Sequence, residues 1–197
     1  MIIPAEQTST ATSREALDLL LALVGDYCEY GWQRDDGFSF VALAGDQVAA
    51  AAIGLPLAPG DRAHINRAIR NNHLDLRQPA ALELAHTLRE QQPTGELFAL
   101  AVAPEFRGQG LAKALISARL TAFQDAGFQL AIAESWINPA GGQSAPLYRS
   151  LGFTEMVAAP GYWAAERTES NHAAQGCPSC GPLCKCAAIL FGKDLTC

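Results

Sequence analysis

The sequence predicts an α/β fold, in which helices pack against a central sheet. Strand-like apolar runs alternate with helical patterns between residues 96 and 153. Two earlier apolar runs, joined by Gly45-Asp46, have the pattern of a hairpin. The chain has 197 residues, 49% of them hydrophobic, which is long enough for one well-buried core. We therefore expect one domain over residues 1–197.

The first half of the chain has four segments with distinct patterns. Apolar residues at helical spacing predict a first helix from Thr12 to Tyr30, with Ser13 as its N-cap. The hairpin predicts strands at Phe38–Leu43 and Gln47–Leu57. The more polar stretch 58–93 has helical character, and we expect an inserted helical pair there.

The second half alternates between the two element types. A strand at Glu96–Val102, stopped by Pro104, precedes a helix at Leu111–Ala126 that ends at Gly127. That helix is expected to present one face, made of Leu111, Leu115, Ala118 and Ala122. The remaining elements are expected at Gln129–Ala133 (strand), Ser144–Ser150 (helix), Phe153 onward (strand) and Ala187–Phe191 (strand).

The bulk properties argue against two classes of partner. The formal net charge is −6, and an acidic surface repels phosphate backbones on average. No apolar run is long enough to span a bilayer, and the residues after Met1 lack the pattern of a signal peptide. We therefore expect a cytoplasmic protein that binds neither nucleic acid nor membrane. Nothing in the sequence indicates an oligomeric state.

A glycine-rich turn carries the most informative pattern. The segment Arg107-Gly-Gln-Gly110-Leu-Ala112 joins the strand Glu96–Val102 to the following helix. Such a turn aims unpaired N–H groups and the positive end of the helix dipole at one point, which suits a pyrophosphate. Gly108 and Gly110 permit a close approach of the backbone to the ligand. The candidate binding residues are Arg107, Gly108, Gln109, Gly110, Leu111 and Ala112.

Two blocks together resemble the GNAT acetyltransferase superfamily. Arg107, Gly110 and Ala112 match its acetyl-CoA motif, (Arg/Gln)-x-x-Gly-x-(Gly/Ala), and the segment 147–153 matches its Leu-Tyr-x-x-Leu-Gly-Phe signature. The resemblance covers at least residues 95–153. It implies a mixed, mostly antiparallel sheet with one splayed parallel strand pair and flanking helices. It also implies acetyl-CoA as co-substrate and direct transfer of the acetyl group to an amine.

The resemblance implies further donor contacts. Relatives use backbone N–H groups near a bulge in the strand before the turn to hold pantetheine and polarise the thioester oxygen. In this chain those groups belong to Leu100, Ala101 and Val102. Asn138 corresponds to an asparagine that contacts pantetheine in relatives, although here it stands farther from the tyrosine of the second block.

Two residues are candidates for acid and base catalysis. Tyr148 resembles the tyrosine that protonates the leaving thiolate in many family members; the alternative is an aromatic side chain packed in the core. Glu96 stands where histone-acetylating relatives keep a glutamate base; the alternative is a solvated charge at a strand end. Strand alternation places Glu96 on the same face as Phe98, Leu100 and Val102. Glu134 is a weaker second candidate for the base.

A cysteine cluster lies near the C-terminus, at Cys177, Cys180, Cys184 and Cys186. The C-x2-C pair and the second close pair allow four thiolates to bind one structural zinc ion, and His172 is a possible substitute ligand. A reversible disulfide and unligated thiols are the alternatives. A zinc site or a disulfide would pin the last strand of the sheet.

The sequence does not distinguish among three classes of acceptor: the amine of a small molecule, of a peptide or of a protein. The inserted helices are expected to border its pocket. A non-catalytic alternative is an acyl-CoA-binding sensor whose cysteine loop binds a metal or a partner.

Overall fold

A computed structural model describes residues 1–57, 93–137, 144–159 and 186–196. These residues contain seven strands and four α-helices. The inserted helical pair expected at 58–93 lies outside the described residues, apart from Pro93. None of the described helices is long and apolar enough to cross a bilayer.

The chain divides into two compact units, and the first comprises Met1–Pro56, Pro93–Ala131 and Asp194–Cys197. Its strands are β1 (Ile2–Pro4), β2 (Phe40–Ala44), β3 (Gln47–Pro56) and β4 (Thr94–Val102). Its helices are α1 (Thr10–Leu23), α2 (Cys28–Trp32) and α3 (Leu111–Asp125). Short 3-10 turns lie at Ala5–Gln7 and Pro104–Phe106.

The second unit comprises Leu57–Gln92 and Ile132–Lys193. It contains most of β5 (Leu130–Ile137), the short helix α4 (Ala145–Ser150), β6 (Thr154–Ala159) and β7 (Ala187–Asp194). The one-domain organisation expected from the sequence stays a prediction.

The strand order in the sheet is β1-β2-β3-β4-β5-β7-β6. The pairs β1–β2, β2–β3, β3–β4 and β6–β7 are antiparallel, and β4–β5 is the parallel pair. The predicted mixed, mostly antiparallel sheet with flanking helices is therefore confirmed.

The first predicted helix is in fact two helices. The hydroxyl of Ser9 accepts a hydrogen bond from the N–H of Thr12 at 3.1 Å, so Ser9, and not Ser13, caps α1. The break falls at Gly25, whose φ of 149° is outside the helical range. Ser13 instead accepts a hydrogen bond from the indole N–H of Trp32 at 3.2 Å, which ties α2 back to α1.

The two faces of the first unit's sheet carry different clusters. Ala51, Ile53 and Leu55 of β3 pack in a cluster with residues of α1 and α2, and this side is called the α1 face below. Ala50 and Ala52 pack instead with Leu115 of α3, and this side is called the α3 face. The alternation along β3 is the period of a strand that is buried on both faces.

Two glycines accommodate Phe123 of α3. A Cβ atom at Gly54 would lie 2.9 Å from the Phe123 ring, and one at Gly95 would lie 2.6 Å from it. The ring is fully buried and therefore occupies the space that side chains at these two positions would need. Both glycines consequently lie on the α3 face of the sheet. This establishes which face each neighbouring residue occupies where the end of β3 pairs with the start of β4.

Candidate functional site

The turn between β4 and α3 has the geometry expected for an anion site. Gly108 and Gly110 have φ values of 75° and 81°, the left-handed region that glycine adopts without strain. The N–H of Ala114 donates to the carbonyl of Gly110 at 3.0 Å, which starts the 15-residue helix α3 directly after the turn.

The amide groups of this turn are available to a ligand. The first N–H groups of an α-helix have no acceptor within the helix, and no side chain caps α3 at Gly110. A Cβ atom at Gly108 or Gly110 would meet nothing within 4 Å, so the space beside the turn is open. Together with the helix dipole, these groups can hold a phosphate or diphosphate.

Polar side chains flank the turn. The Nε atom of Arg107 donates to the carbonyl of Val102 at 3.2 Å, which holds the exposed guanidinium beside the turn. Gln109 is exposed, and Leu111 and Ala112 are half-buried at the start of α3. The predicted strand–turn–helix around the six candidate residues is thus present, and their contact with a ligand stays a prediction.

Strand β4 contains a bulge. Ile53 pairs with Ala99, and the next pair along the ladder is Leu55 with Glu96. Between these two pairs β3 has one residue, Gly54, and β4 has two, so β4 carries the extra residue.

The bulge determines the direction of Glu96. Directly opposed residues of an antiparallel pair point to the same face, and Leu55 belongs to the α1 face. The neighbouring residue, Gly95, faces α3, which agrees with this orientation. Glu96 is 7% exposed. It therefore lies on the α1 face as a buried carboxyl group, and the alternative of a solvated charge at a strand end is wrong.

The predicted alternation along β4 is also wrong in part. Phe98 and Ala99, although consecutive, both pack in the α1-face cluster, whereas Leu100 and Val102 pack on the α3 face. Glu96 shares its face with Phe98, as expected, but not with Leu100 and Val102. The extra residue of the bulge is the physical reason, because it shifts the alternation by one position.

The candidate oxyanion groups lie beyond the bulge. Leu100, Ala101 and Val102 pair regularly with Ala52, Ala51 and Ala50 of β3. The bulge was expected at these three residues; it lies closer to the start of the strand, at Leu97 and Phe98. Contact between their N–H groups and pantetheine stays a prediction.

Tyr148 lies in the second unit, in α4. It is 6% exposed, and its ring lies 5.3 Å from that of Phe153 and 5.4 Å from that of Phe191. The carbonyl of Tyr148 accepts from the N–H of Phe153 at 3.1 Å, and Gly152 between them has a φ of 76°. The signature block therefore ends α4 and turns the chain into β6 with Tyr148 held in an aromatic cluster.

Other candidates of the second unit are partly described. Glu134 is half-buried on β5, and Ser135 next to it is fully buried with its hydroxyl 2.7 Å from that of Ser144. This contact ties the start of α4 to β5. Asn138 lies outside the described residues.

Three of the four clustered cysteines, Cys177, Cys180 and Cys184, lie outside the described residues, as does His172. Cys186 is buried just before β7. Across residues 1–57, 93–137, 144–159 and 186–196, no group of three or more His, Cys, Asp or Glu residues is arranged to hold a metal. The zinc site stays a prediction.

Arg119 is a residue that the sequence patterns missed. It is fully buried on α3, and its Nη1 atom donates to the carbonyls of Ile53 at 2.8 Å and Ala99 at 3.0 Å. The buried face of α3 consists of Leu115, Ile116, Arg119, Leu120 and Phe123, whereas Ala118 and Ala122 of the predicted face are half-buried. The four-residue spacing of Leu115, Arg119 and Phe123 was the available signal.

Comparison with known proteins addresses the family and the fold. Residues 6–153 match the model of the Acetyltransferase (GNAT) family. No curated protein sequence matches the chain. Among solved structures, the chain is similar to a ribosomal-protein-S18-alanine N-acetyltransferase from Escherichia coli, with a TM-score of 0.61 and 16% identity over 100% of this chain and 94% of that one.

Two further structures extend this likeness. A polyamine N-acetyltransferase from Drosophila melanogaster has a TM-score of 0.61 and 17% identity, covering 98% of this chain and 100% of that one. An acetyltransferase from Bacillus subtilis in complex with CoA has a TM-score of 0.60 and 16% identity, covering 98% of this chain and 97% of that one. At these identities the likeness concerns the fold.

Proposed function

The chain belongs to the acetyltransferase (GNAT) family, and from this premise we propose that it transfers an acetyl group from acetyl-CoA directly to an amine. The observation that carries the proposal is the turn between β4 and α3. Its glycines are open to solvent, its helix-terminal N–H groups have no acceptor within the helix, and Arg107 stands beside it. This is the local chemistry that a diphosphate requires.

The donor is proposed to bind along the end of β4 and the turn. Arg107, Gly108, Gln109, Gly110, Leu111 and Ala112 would hold the diphosphate. Backbone N–H groups of Leu100, Ala101 and Val102 would hold pantetheine and polarise the thioester carbonyl, and Asn138 would contact pantetheine. Removing a comparable oxyanion donor slows other enzymes about 10²- to 10³-fold.

Acetyl transfer needs a base and an acid. The amine attacks the thioester carbonyl only when it is neutral, and lysine-type amines have a pKa near 10.4, so a proton must be removed. Glu96, buried on the α1 face, is the proposed base, acting directly or through water. As the C–N bond forms and the C–S bond breaks, Tyr148 is proposed to protonate the departing thiolate.

The acceptor is proposed to be an amine of a small molecule, a peptide or a protein. Two structural neighbours are named for different amines, an alanine of a ribosomal protein and a polyamine. The net charge of −6 favours cationic acceptors through long-range attraction. A cytoplasmic location is part of the proposal.

The experiment is a steady-state assay of thiol release from acetyl-CoA against a panel of amines that includes polyamines and peptides with free N-termini. The proposal expects a rate that depends on the amine and an acetylated product of matching mass. Binding of acetyl-CoA without turnover of any amine would favour the non-catalytic sensor instead.

A further inference from the structure

Arg119 occupies an unusual position for a buried charge. It is fully buried, and one of its nitrogens, Nη1, donates to a carbonyl on each of two neighbouring strands. Burial of a guanidinium is costly, and an apolar side chain of similar size would fill the same space without that cost. Filling space in the core therefore does not account for a charged side chain at this position.

The two acceptors mark the edge of the bulge. Ile53 and Ala99 form the last regular pair of the β3–β4 ladder before the register shift. A bulge disrupts the ladder locally, and buried carbonyls there need donors. Arg119 supplies one donor group to both strands at this point. Its Nε atom also donates to the carbonyl of Leu115 at 3.3 Å, which anchors the side chain to its own helix.

The register beyond the bulge determines the face on which Glu96 lies. Without the extra residue, the ladder would continue from Ile53–Ala99 to pair Leu55 with Leu97, and Glu96 would pair with Pro56. Glu96 would then lie on the α3 face, where Phe123 packs against Gly54 and Gly95. The bulge instead places the carboxylate on the α1 face.

We propose that Arg119 is a positioning residue: by bridging the carbonyls of Ile53 and Ala99, it holds the β4 bulge and so keeps Glu96 on the α1 face. This role rests on the proposed acetyl transfer, in which Glu96 is the base. In this role Arg119 acts on Glu96 through the strand and not directly on the substrate. The turn that would bind acetyl-CoA lies at the N-terminus of α3, two helical turns from Arg119.

The test is a double-mutant cycle of Arg119→Met and Glu96→Gln, with kcat and the affinity for acetyl-CoA measured for each variant. Arg119→Met is expected to lower kcat by about 10-fold or more while the affinity for acetyl-CoA stays within about 3-fold. In the Glu96→Gln background, Arg119→Met is expected to have no further effect on kcat, because both changes remove the same function. Additive effects would overturn the proposal.

Two matched variants separate positioning from packing. Leu120→Ala truncates a buried side chain of the same helix that can make no hydrogen bond to the bulge, and should lower the melting temperature but leave kcat unchanged. Arg119→Lys keeps a cation that can donate to both carbonyls, and should restore most of kcat. If Arg119→Met does not fold, the cycle is run with Arg119→Gln, which removes the charge and shortens the side chain, and whose loss of kcat should likewise vanish beside Glu96→Gln.

A readout independent of activity distinguishes failure of this role from failure of the proposed function. Amide hydrogen exchange at Leu97, Phe98 and Ala99 should be at least about 10-fold faster in Arg119→Met than in Leu120→Ala. Unchanged exchange would contradict the positioning role even if the wild type transfers acetyl groups. Faster exchange in a protein that acetylates no amine would support the role of Arg119 at the bulge and contradict the proposed acetyl transfer.

Discussion

Glu96 lies directly opposite Leu55 in the β3–β4 ladder, one register step away from the position that strict alternation would give it. The pairing puts a buried carboxylate on the face of the sheet that carries α1 and α2. This is the residue proposed above as the base that accepts a proton from the attacking amine.

Glu96→Gln is expected to lower kcat by about 10²- to 10⁴-fold, because the amide has a similar shape but cannot accept the proton. The melting temperature and the affinity for acetyl-CoA should change little. The control is Glu6→Gln, an exposed glutamate on the 3-10 turn after β1, which should leave kcat unchanged. Equal rates for Glu96→Gln and the wild type would assign the base elsewhere, with Glu134→Gln as the next variant to measure.

Tyr148→Phe should retain the fold, because the ring contacts with Phe153 and Phe191 do not require the hydroxyl. It should reduce kcat with little change in the KM for acetyl-CoA, since the hydroxyl acts only when the thiolate leaves. Tyr30→Phe, which removes a hydroxyl from a tyrosine that is 59% exposed, is the control. If the two variants have the same kcat, Tyr148 has only a packing role.

Gly110→Ala and Gly127→Ala form a matched pair at the two ends of α3. Both glycines have left-handed φ values, 81° and 82°, and a Cβ atom at either would meet nothing within 4 Å. Each alanine should therefore cost about 1 kcal/mol of folding stability through backbone strain. Only Gly110→Ala should weaken acetyl-CoA binding in calorimetry, because only this Cβ atom enters the proposed diphosphate cradle. A similar loss of affinity in both variants would point to a general effect on the helix.

Burial raises the pKa of the Cys28 thiol to about 12, with the charge of Asp26 as a second cause. The unfolded thiol ionises near its ordinary pKa, so the unfolded state loses protons first as the pH rises. Cys28 should therefore stabilise the fold fully at neutral pH and lose this contribution from about pH 9 upward, by about 1.5–2 kcal/mol at pH 10. Urea unfolding at pH 7 and pH 10 measures the difference in the free energy of unfolding between the wild type and Cys28→Ala. This difference should be smaller at pH 10. A difference independent of pH would show that the thiol does not titrate on unfolding.

The elements with strong local signals were predictable from the sequence. Gly45-Asp46 marked the hairpin, and Gly110 and Gly127 bounded α3 to within one residue, because turns and helix ends depend on backbone conformations that few residues adopt. The acetyl-CoA motif was recognisable because it contains Gly110, whose backbone conformation few other residues adopt. The break at Gly25 was missed because the apolar spacing continues across it, and the short β1 carries too few residues for a pattern.

The details of the candidate site depended on tertiary contacts. The face of Glu96 follows from a bulge whose extra residue has no sequence signal, since Leu97, Phe98 and Ala99 read as an ordinary apolar strand. Arg119 was overlooked because a charged residue on a helix is usually assigned to the solvent side. Its partners are carbonyls of strands that are 66 and 20 residues away in the chain, which no local pattern can reveal.

Calorimetric titration of the purified protein with acetyl-CoA, beside acetyl-pantetheine, which lacks the diphosphate, tests the central claim most directly. The amides of Gly108 to Ala112 and the guanidinium of Arg107 are proposed to bind that diphosphate. We expect one site per chain for acetyl-CoA and at least about 10-fold weaker binding of acetyl-pantetheine. No association with acetyl-CoA, or equal affinity for the two ligands, would contradict the account.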